Sequence, residues 1–357
     1  MRISLPSTAS TMMEIMSLQI AVGQLTKSRL QTDVNQYEKE KPMGKITKIK
    51  CNSHEEWLAE RRKSIGGSDA GTVCGYNKYS TPYALWGEKT GLFEPEDISE
   101  KESVRLGNDL EDYIARRFME KSGLKVKRCN YLLRNEDFPF AHADIDREVI
   151  GEPAGLECKS SSNYEIFHYC ENNEIPPHFY CQMLHYMMVT GWKKWYLAVL
   201  CFGRGFYTFE IERTPEIEKE IKALAEIEEG FWKQVEENVA PDIDGSKATT
   251  EAVSKIFDHS EGNSVDLGAV EIHLRQYEAI SKQIKQLESL RDEEANRIKV
   301  YMNKAEKGSC GAYSVSWKEQ ERKTFDRKYF EEHYGRIPED CFKTSGSRPF
   351  KFTVKEI

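Results

Sequence analysis

Between Ser99 and Val239 the apolar period of the chain switches from helical to alternating and back, and no other feature restricts the fold as much. An amphipathic stretch over Ser99–Lys121, stopped by Gly123, predicts a long helix. Three runs of strand character follow, Lys125–Leu133, Ala141–Val149 and Gly155–Lys159, separated by Pro and Gly breakers. A helix is predicted over Pro176–Val189, ending at Gly191. Two strands, Trp195–Cys201 and Gly205–Ile211, come next, joined by a tight Phe202-Gly-Arg-Gly turn. Pro215–Val239 reads as a closing helix, and shorter helical patterns at His54–Arg62, Ser68–Cys74 and Thr81–Thr90 precede the whole series. Such a succession specifies an α/β fold.

The composition bounds what surrounds this core. With 357 residues there is room for two ordinary domains. Residues 1–50 are polar and weakly patterned, as in a flexible leader, and 51–240 hold the α/β domain. Residues 241–265 have linker composition. In 266–357, Tyr277, Ile280, Ile284 and Leu287 fall at heptad spacing on a long charged helix, which suits packing on its own domain or on a second copy. Short β-like segments at Ala312–Lys318 and Phe350–Val354 surround a Phe330–Tyr334 helix, so the C-terminal appendage is helical plus a small β element. No apolar run approaches the about 20 residues of a membrane-spanning helix. Nine cysteines at wide spacings, with no C-x-x-C pair, argue against a zinc ribbon or a disulfide scaffold and fit reduced cytosolic thiols. The formal charge of −8 excludes a chain that binds nucleic acid by overall basicity, leaving local patches such as Arg61-Arg62-Lys63, Arg116-Arg117 and Lys125 with Lys127-Arg128.

Chemistry concentrates in Ala143-Asp-Ile-Asp-Arg147 and Ala154-Gly-Leu-Glu-Cys-Lys159. Glu157 and Lys159 are two apart on a predicted strand, so both side chains leave the same face. Asp146 closes the preceding strand, and Gly151 and Pro153 can turn the chain back between them. Carboxylates of this kind hold hard Mg²⁺ for phosphodiester hydrolysis, and a neighbouring lysine can orient the attacking water. The same three residues also suit a surface strand with a cross-strand ion pair. Glu111, on the long helix, and Gln182, on the next, are placed to join the set; each is equally an ordinary helix-surface or cap residue. Asp144 rivals Asp146 as the metal aspartate.

The order of helix, Gly107-x-x-x-Glu111, Asp146, Glu157-x-Lys159, then Gln182 before Val189-Thr-Gly191, resembles the PD-(D/E)xK nuclease superfamily. More narrowly, Trp57-Leu-Ala-Glu-Arg61, Ile65-Gly-Gly-Ser-Asp-Ala70, Asn77-Lys-Tyr-Ser-Thr-Pro82 and Lys89-Thr-Gly91 resemble the YqaJ-type viral recombinases, relatives of the phage lambda exonuclease. The resemblance covers about residues 51–240 and implies a restriction-endonuclease-like core, a central mixed β-sheet flanked by helices. It implies a Mg²⁺ site, with Mn²⁺ as a substitute, held by Glu111, Asp146, Glu157 and the Cys158 backbone carbonyl. In it Lys159 serves the attacking water and Gln182 joins the catalytic set, while Leu184 stands where the family often has a second glutamine. Arg61 and Ser68 fall where the family grips the 5′-phosphate of a DNA end. Ser68, after Gly-Gly, also reads as a helix N-cap.

The implied activity is a 5′-to-3′ exonuclease on double-stranded DNA, yielding 3′ overhangs in phage-type recombination in a bacterial host or from a prophage. The implied partners are double-stranded DNA ends, a single-strand annealing protein (RecT, Erf or Red-beta type) and copies of itself in a ring trimer. An endonuclease, a Cas4-like enzyme and a non-catalytic DNA-end-binding protein are the alternatives. A Cas4-like enzyme needs cysteines set for an iron–sulfur cluster, which their scatter disfavours. Trp317–Asp326 and 343–350 resemble the appended region of some phage members.

Overall fold

The computed structural model describes residues 44–343 together with 350 and 352. The chain divides into two units, one of residues up to Tyr76 with Ile98–Trp232, the other of Asn77–Asp97 with the chain from Lys233 onward.

The first unit is built on a five-stranded mixed sheet. In order across it lie β2 (Val126–Arg128), β5 (Arg147–Val149), β6 (Ala154–Ser161), β7 (Lys194–Cys201) and β8 (Gly205–Glu212). All neighbours are antiparallel except β6 and β7, which run parallel with Glu157 level with Leu197. A parallel pair needs a crossover. Here α5 (Tyr164–Glu171) and α6 (Pro177–Thr190) supply it. One face is covered by α4 (Glu102–Ser122), whose Ile114, Ala115 and Phe118 pack on Leu156, Tyr196 and Ala198. On α6, every residue from Cys181 to Thr190 is buried, the polar Gln182, His185 and Thr190 each holding a hydrogen bond. Gly123 and Gly191 end α4 and α6 at φ 76° and 65°, a region that favours glycine. α7 (Pro215–Glu236) follows β8, and no helix among the described residues is long and apolar enough to cross a membrane.

Two predicted strands are each broken in two. Lys125–Leu133 separates into β2 and β3 (Leu132–Asn135), and Ala141–Val149 into β4 (Ala143–Asp144) and β5. β3 and β4 leave the main sheet for a three-stranded one with β1 (Ile46–Ile49). The β4–β5 break falls at Ile145-Asp146, where the Asp146 carboxylate takes a backbone N–H of β6 instead of the ladder continuing. The expectation of a flexible leader over 1–50 therefore fails at residues 46–49, which pair with β3; residues 1–43 lie outside the described residues. α1 (His54–Arg62) and α2 (Gly67–Val73) precede the long helix.

The second unit contains α3 (Pro82–Lys89), α8 (Lys247–Ile256), α9 (Glu271–Met302), a β9–β10 hairpin (Lys307–Cys310 with Tyr313–Ser316) and α10 (Arg327–Tyr334). Two corrections follow. The 241–265 linker contains α8, capped by the Ser246 hydroxyl and joined to α3 through Thr81 and Thr249, whose hydroxyls are 2.9 Å apart. Asn77–Asp97 groups with this unit rather than with a 51–240 domain. The expected Phe350–Val354 strand falls mostly outside the described residues.

Candidate active site

Strand alternation in β6 divides its side chains between two environments. Leu156 and Cys158 pack toward α4, whereas Glu157 and Lys159 face α6. Glu157 is 2% exposed. Its Oε1 accepts from Lys159 Nζ at 2.7 Å and from Gln182 Nε2 at 2.8 Å. Its Oε2 is buried with no hydrogen-bond partner. Gln182 Nε2 also donates to the Tyr186 hydroxyl at 2.9 Å, and that hydroxyl donates to the Asp144 carbonyl at 2.7 Å. Tyr186 was not singled out from sequence, although it lies four residues after Gln182 and so on the same helical face. It also explains Gly67: a Cβ there would lie 2.4 Å from the Tyr186 ring.

Asp146 accepts from the Cys158 N–H at 2.8 Å, which fastens it to β6 between Glu157 and Lys159. Burial, with the Glu157 charge adding to it, holds the Asp146 carboxyl well above the usual carboxylate range. Glu157 is also raised, by burial, against the opposing pull of Lys159. For Lys159 burial acts downward, but Glu157 and Asp146 outweigh it and the ammonium form is favoured. Asp144 accepts from the Trp57 indole N–H at 2.9 Å. Burial raises it too, opposed by Arg61 and that hydrogen bond.

Glu111 reaches this region from α4 but is turned to the buried Arg147, with which it forms an ion pair. Arg147 also donates to the Asp146 carbonyl at 2.7 Å and to Asp112 at 2.5 Å. The structure thus brings Asp146, Glu157, Lys159 and Gln182 together and holds Glu111 one arginine away.

Arg61 and Ser68 meet on α1 and α2: Arg61 donates to the Ser68 hydroxyl at 2.8 Å. The guanidinium lies 4.5 Å from the centre of the Trp57 ring, so one tryptophan braces Arg61 and ties down Asp144. Ser68 is not the helix cap that the sequence suggested. Gly66 caps α2, its N–H donating to Asp69 at 3.0 Å, and the Ser68 hydroxyl is left to face Arg61.

Do these residues suit a metal? Two buried carboxylates share one lysine, both are held toward their neutral forms, and one oxygen lacks a partner. A divalent cation relieves each of these at once. As they stand, no three acidic, histidine or cysteine side chains among the described residues are grouped as a metal site, and Glu111 is paired with Arg147. The fit is therefore to Asp146 and Glu157 first.

The YqaJ-like viral recombinase domain matches residues 56–193. The Bacillus subtilis (strain 168) protein "Uncharacterized protein YqaJ" is 38% identical over 310 residues, covering 85% of this chain and 95% of its own. The chain belongs to the YqaJ-like viral recombinase family. The matched stretch of that family domain holds every site residue described above, from Arg61 to Gln182. Among solved structures, an alkaline exonuclease from Laribacter hongkongensis is similar over 52% of this chain and 94% of its own, at 18% identity and a TM-score of 0.42. A phage-related exonuclease from Haemophilus somnus 129PT is similar over 50% and 96%, at 13% identity and a TM-score of 0.37.

Proposed function

We propose that this chain is a Mg²⁺-dependent exonuclease that degrades double-stranded DNA in the 5′-to-3′ direction and leaves 3′ single-strand overhangs for phage-type recombination. The observation that carries the reading is Glu157: buried, one carboxylate oxygen held by Lys159 and Gln182, the other bare, with Asp146 fastened to the same strand.

Asp146, Glu157 and the Cys158 backbone carbonyl would hold Mg²⁺, joined by Glu111 when it exchanges Arg147 for the ion; Mn²⁺ would substitute. When bound, the ion supplies Lewis acidity toward the phosphodiester and a hydroxide at neutral pH. Lys159, kept as an ammonium by its two carboxylate neighbours, orients the attacking water and offsets negative charge as the phosphorane develops. Gln182 fixes the Glu157 rotamer, and Tyr186 fixes Gln182. Arg61 and Ser68 take the terminal 5′-phosphate, the guanidinium as a two-toothed donor braced on Trp57.

An end-binding pair built into the same unit as the cleavage residues favours an exonuclease over an endonuclease or a Cas4-like enzyme. The intact carboxylate–lysine set favours an enzyme over a non-catalytic end-binding protein. Family membership supports work beside a single-strand annealing protein (RecT, Erf or Red-beta type), and by analogy a ring of three subunits in the bacterial cytoplasm. The test uses linear duplex labelled at either the 5′ or the 3′ end and closed circular duplex, each with Mg²⁺ and with chelator. Label should leave as mononucleotide from the 5′ end of linear DNA, with Mg²⁺ only. Cutting of the circle, release first from the 3′ end, or digestion in chelator contradicts the reading.

A further inference from the structure

The helix α9 runs for 32 residues and buries only Met302. Tyr277, Ile280, Ile284, Leu287, Arg291, Glu294, Ile298 and Tyr301 follow one another at alternating three- and four-residue steps, the a/d seam of a coiled coil. The start of the seam is covered from within the chain, since the Tyr277 ring meets Phe350 at 5.6 Å and Phe352 at 4.8 Å. The rest is open: Ile284, Leu287, Ile298 and Tyr301 are 51, 65, 46 and 93% exposed. Apolar pairs left in water on either side of Arg291 and Glu294 mark an association surface.

The order of residues selects the occupant. Read forward, the open seam is two apolar residues, a cation, an anion and two apolar residues. Read backward, it is the same with the charges exchanged. An antiparallel two-fold contact sets each position against its counterpart from the other end. Ile284 then meets Tyr301, Leu287 meets Ile298, and Arg291 meets Glu294 of the other copy, twice over. A parallel pair would instead set Arg291 on Arg291 and Glu294 on Glu294, which costs stability.

We propose that α9 is a self-association element, pairing antiparallel with a second copy of this chain over Ile284–Tyr301, about a two-fold axis between Asp292 and Glu293. Within one chain Glu294 sits 3.0 Å from Arg297 and Arg291 3.1 Å from Asp292. Both are surface ion pairs, which are cheap to exchange. The overlap is about 27 Å of helix, so the association is modest and depends on concentration. It does not rest on the nuclease reading.

Sedimentation velocity of the full chain, from about 1 to 100 µM, tests this. Whatever the base unit, wild type should reach twice its mass at the top of the range, and Leu287→Glu should stay at the base mass. Arg291→Glu alone, or Glu294→Arg alone, should weaken doubling at least about tenfold by setting like charges together. The double variant R291E/E294R should restore it. All these side chains are exposed, and unchanged far-UV circular dichroism of each variant confirms that its fold is intact. Equal masses for wild type and Leu287→Glu at every concentration, as expected if a different protein or another segment of this chain covers the seam, overturn the proposal. So does a double variant no better than the single ones, which would leave Arg291 and Glu294 without a cross-copy role.

Discussion

Two buried ionic clusters meet α6 within one helical turn, at Gln182 and at His185, and they are balanced differently. His185 and Glu228 are both fully buried, with His185 Nδ1 at 2.8 and 2.9 Å from the two Glu228 oxygens and Nε2 at 2.8 Å from the His142 carbonyl. The His142 carbonyl can only accept, so Nε2 carries hydrogen, and the environment of Nδ1 favours the imidazolium form. Burial acts to lower the His185 pKa, but Glu228 and the carbonyl outweigh it. In the other cluster Asp146 and Glu157 share Lys159 alone, and both carboxyls are driven toward neutrality. The first cluster is complete and serves structure. The second has two carboxyl groups for one cation, an excess of acidic groups that a fold tolerates where a cation is to be bound.

The largest way to break this comparison is at the incomplete cluster. Glu157→Ala and Lys159→Ala should each lower single-turnover cleavage by at least about 10³-fold, with far-UV circular dichroism showing that each variant remains folded. Near-wild-type turnover by either moves the site elsewhere.

The complete cluster should respond in stability instead. Glu228→Gln leaves His185 buried without its counter-charge and should cost about 3–5 kcal/mol in urea unfolding. Because the folded pKa of His185 is raised, the stability from this pair is full below the ordinary histidine pKa and is lost as pH rises through the raised value. An effect within a few tenths of a kcal/mol would mean that the pair is not ionic.

Next in size is Arg61→Ala. It should cut the rate ratio of 5′-phosphorylated to 5′-hydroxyl ends about tenfold, measured on otherwise identical duplexes. An unchanged ratio removes Arg61 from the end.

The smallest effect is opposite in sign to that at Glu228. Asp146→Asn removes a carboxyl whose ionisation burial opposes, while its amide oxygen still accepts from Cys158, so metal-free protein should melt about 2–4 °C higher at pH values where wild-type Asp146 would have to ionise. A carboxyl raised in the fold binds its proton more tightly there than when unfolded. Wild type in chelator should therefore lose stability as pH climbs from the ordinary carboxylate range through the raised value, and Mg²⁺ should flatten that slope. A lower melting point for Asp146→Asn would show that the cluster is balanced without metal.

How much of this was legible in the sequence differs by residue. The Glu157–Lys159 face follows from strand period alone, α4 and α6 from helical period and their terminal glycines, and the β7–β8 hairpin from Phe202-Gly-Arg-Gly. Legibility ended where pairing is long-range. β2 and β3 belong to different sheets through their partners β5 and β4, which part where Asp146 bonds across to Cys158, and nothing local in Lys125–Leu133 records that. β1 looked like leader because its partner lies some 86 residues on, Ile49 facing Leu132 and Ile46 facing Asn135. The Arg147 hold on Glu111 and the His185–Glu228 pair join elements far apart in sequence, so spacing could not show them. Tyr186 was readable in principle, one turn beyond Gln182, but only the contact with Gly67 ties it to the Gly-Gly motif.

The central claim is that the Asp146–Glu157 cluster takes a divalent cation. Titrating Mn²⁺ into the uncleaving Lys159→Ala variant, followed by the loss of the free-ion electron paramagnetic resonance signal, tests it most directly. The account predicts saturable binding that Mg²⁺ displaces and that Glu157→Ala, added to the same variant, abolishes. Equal Mn²⁺ binding with and without Glu157 would contradict it.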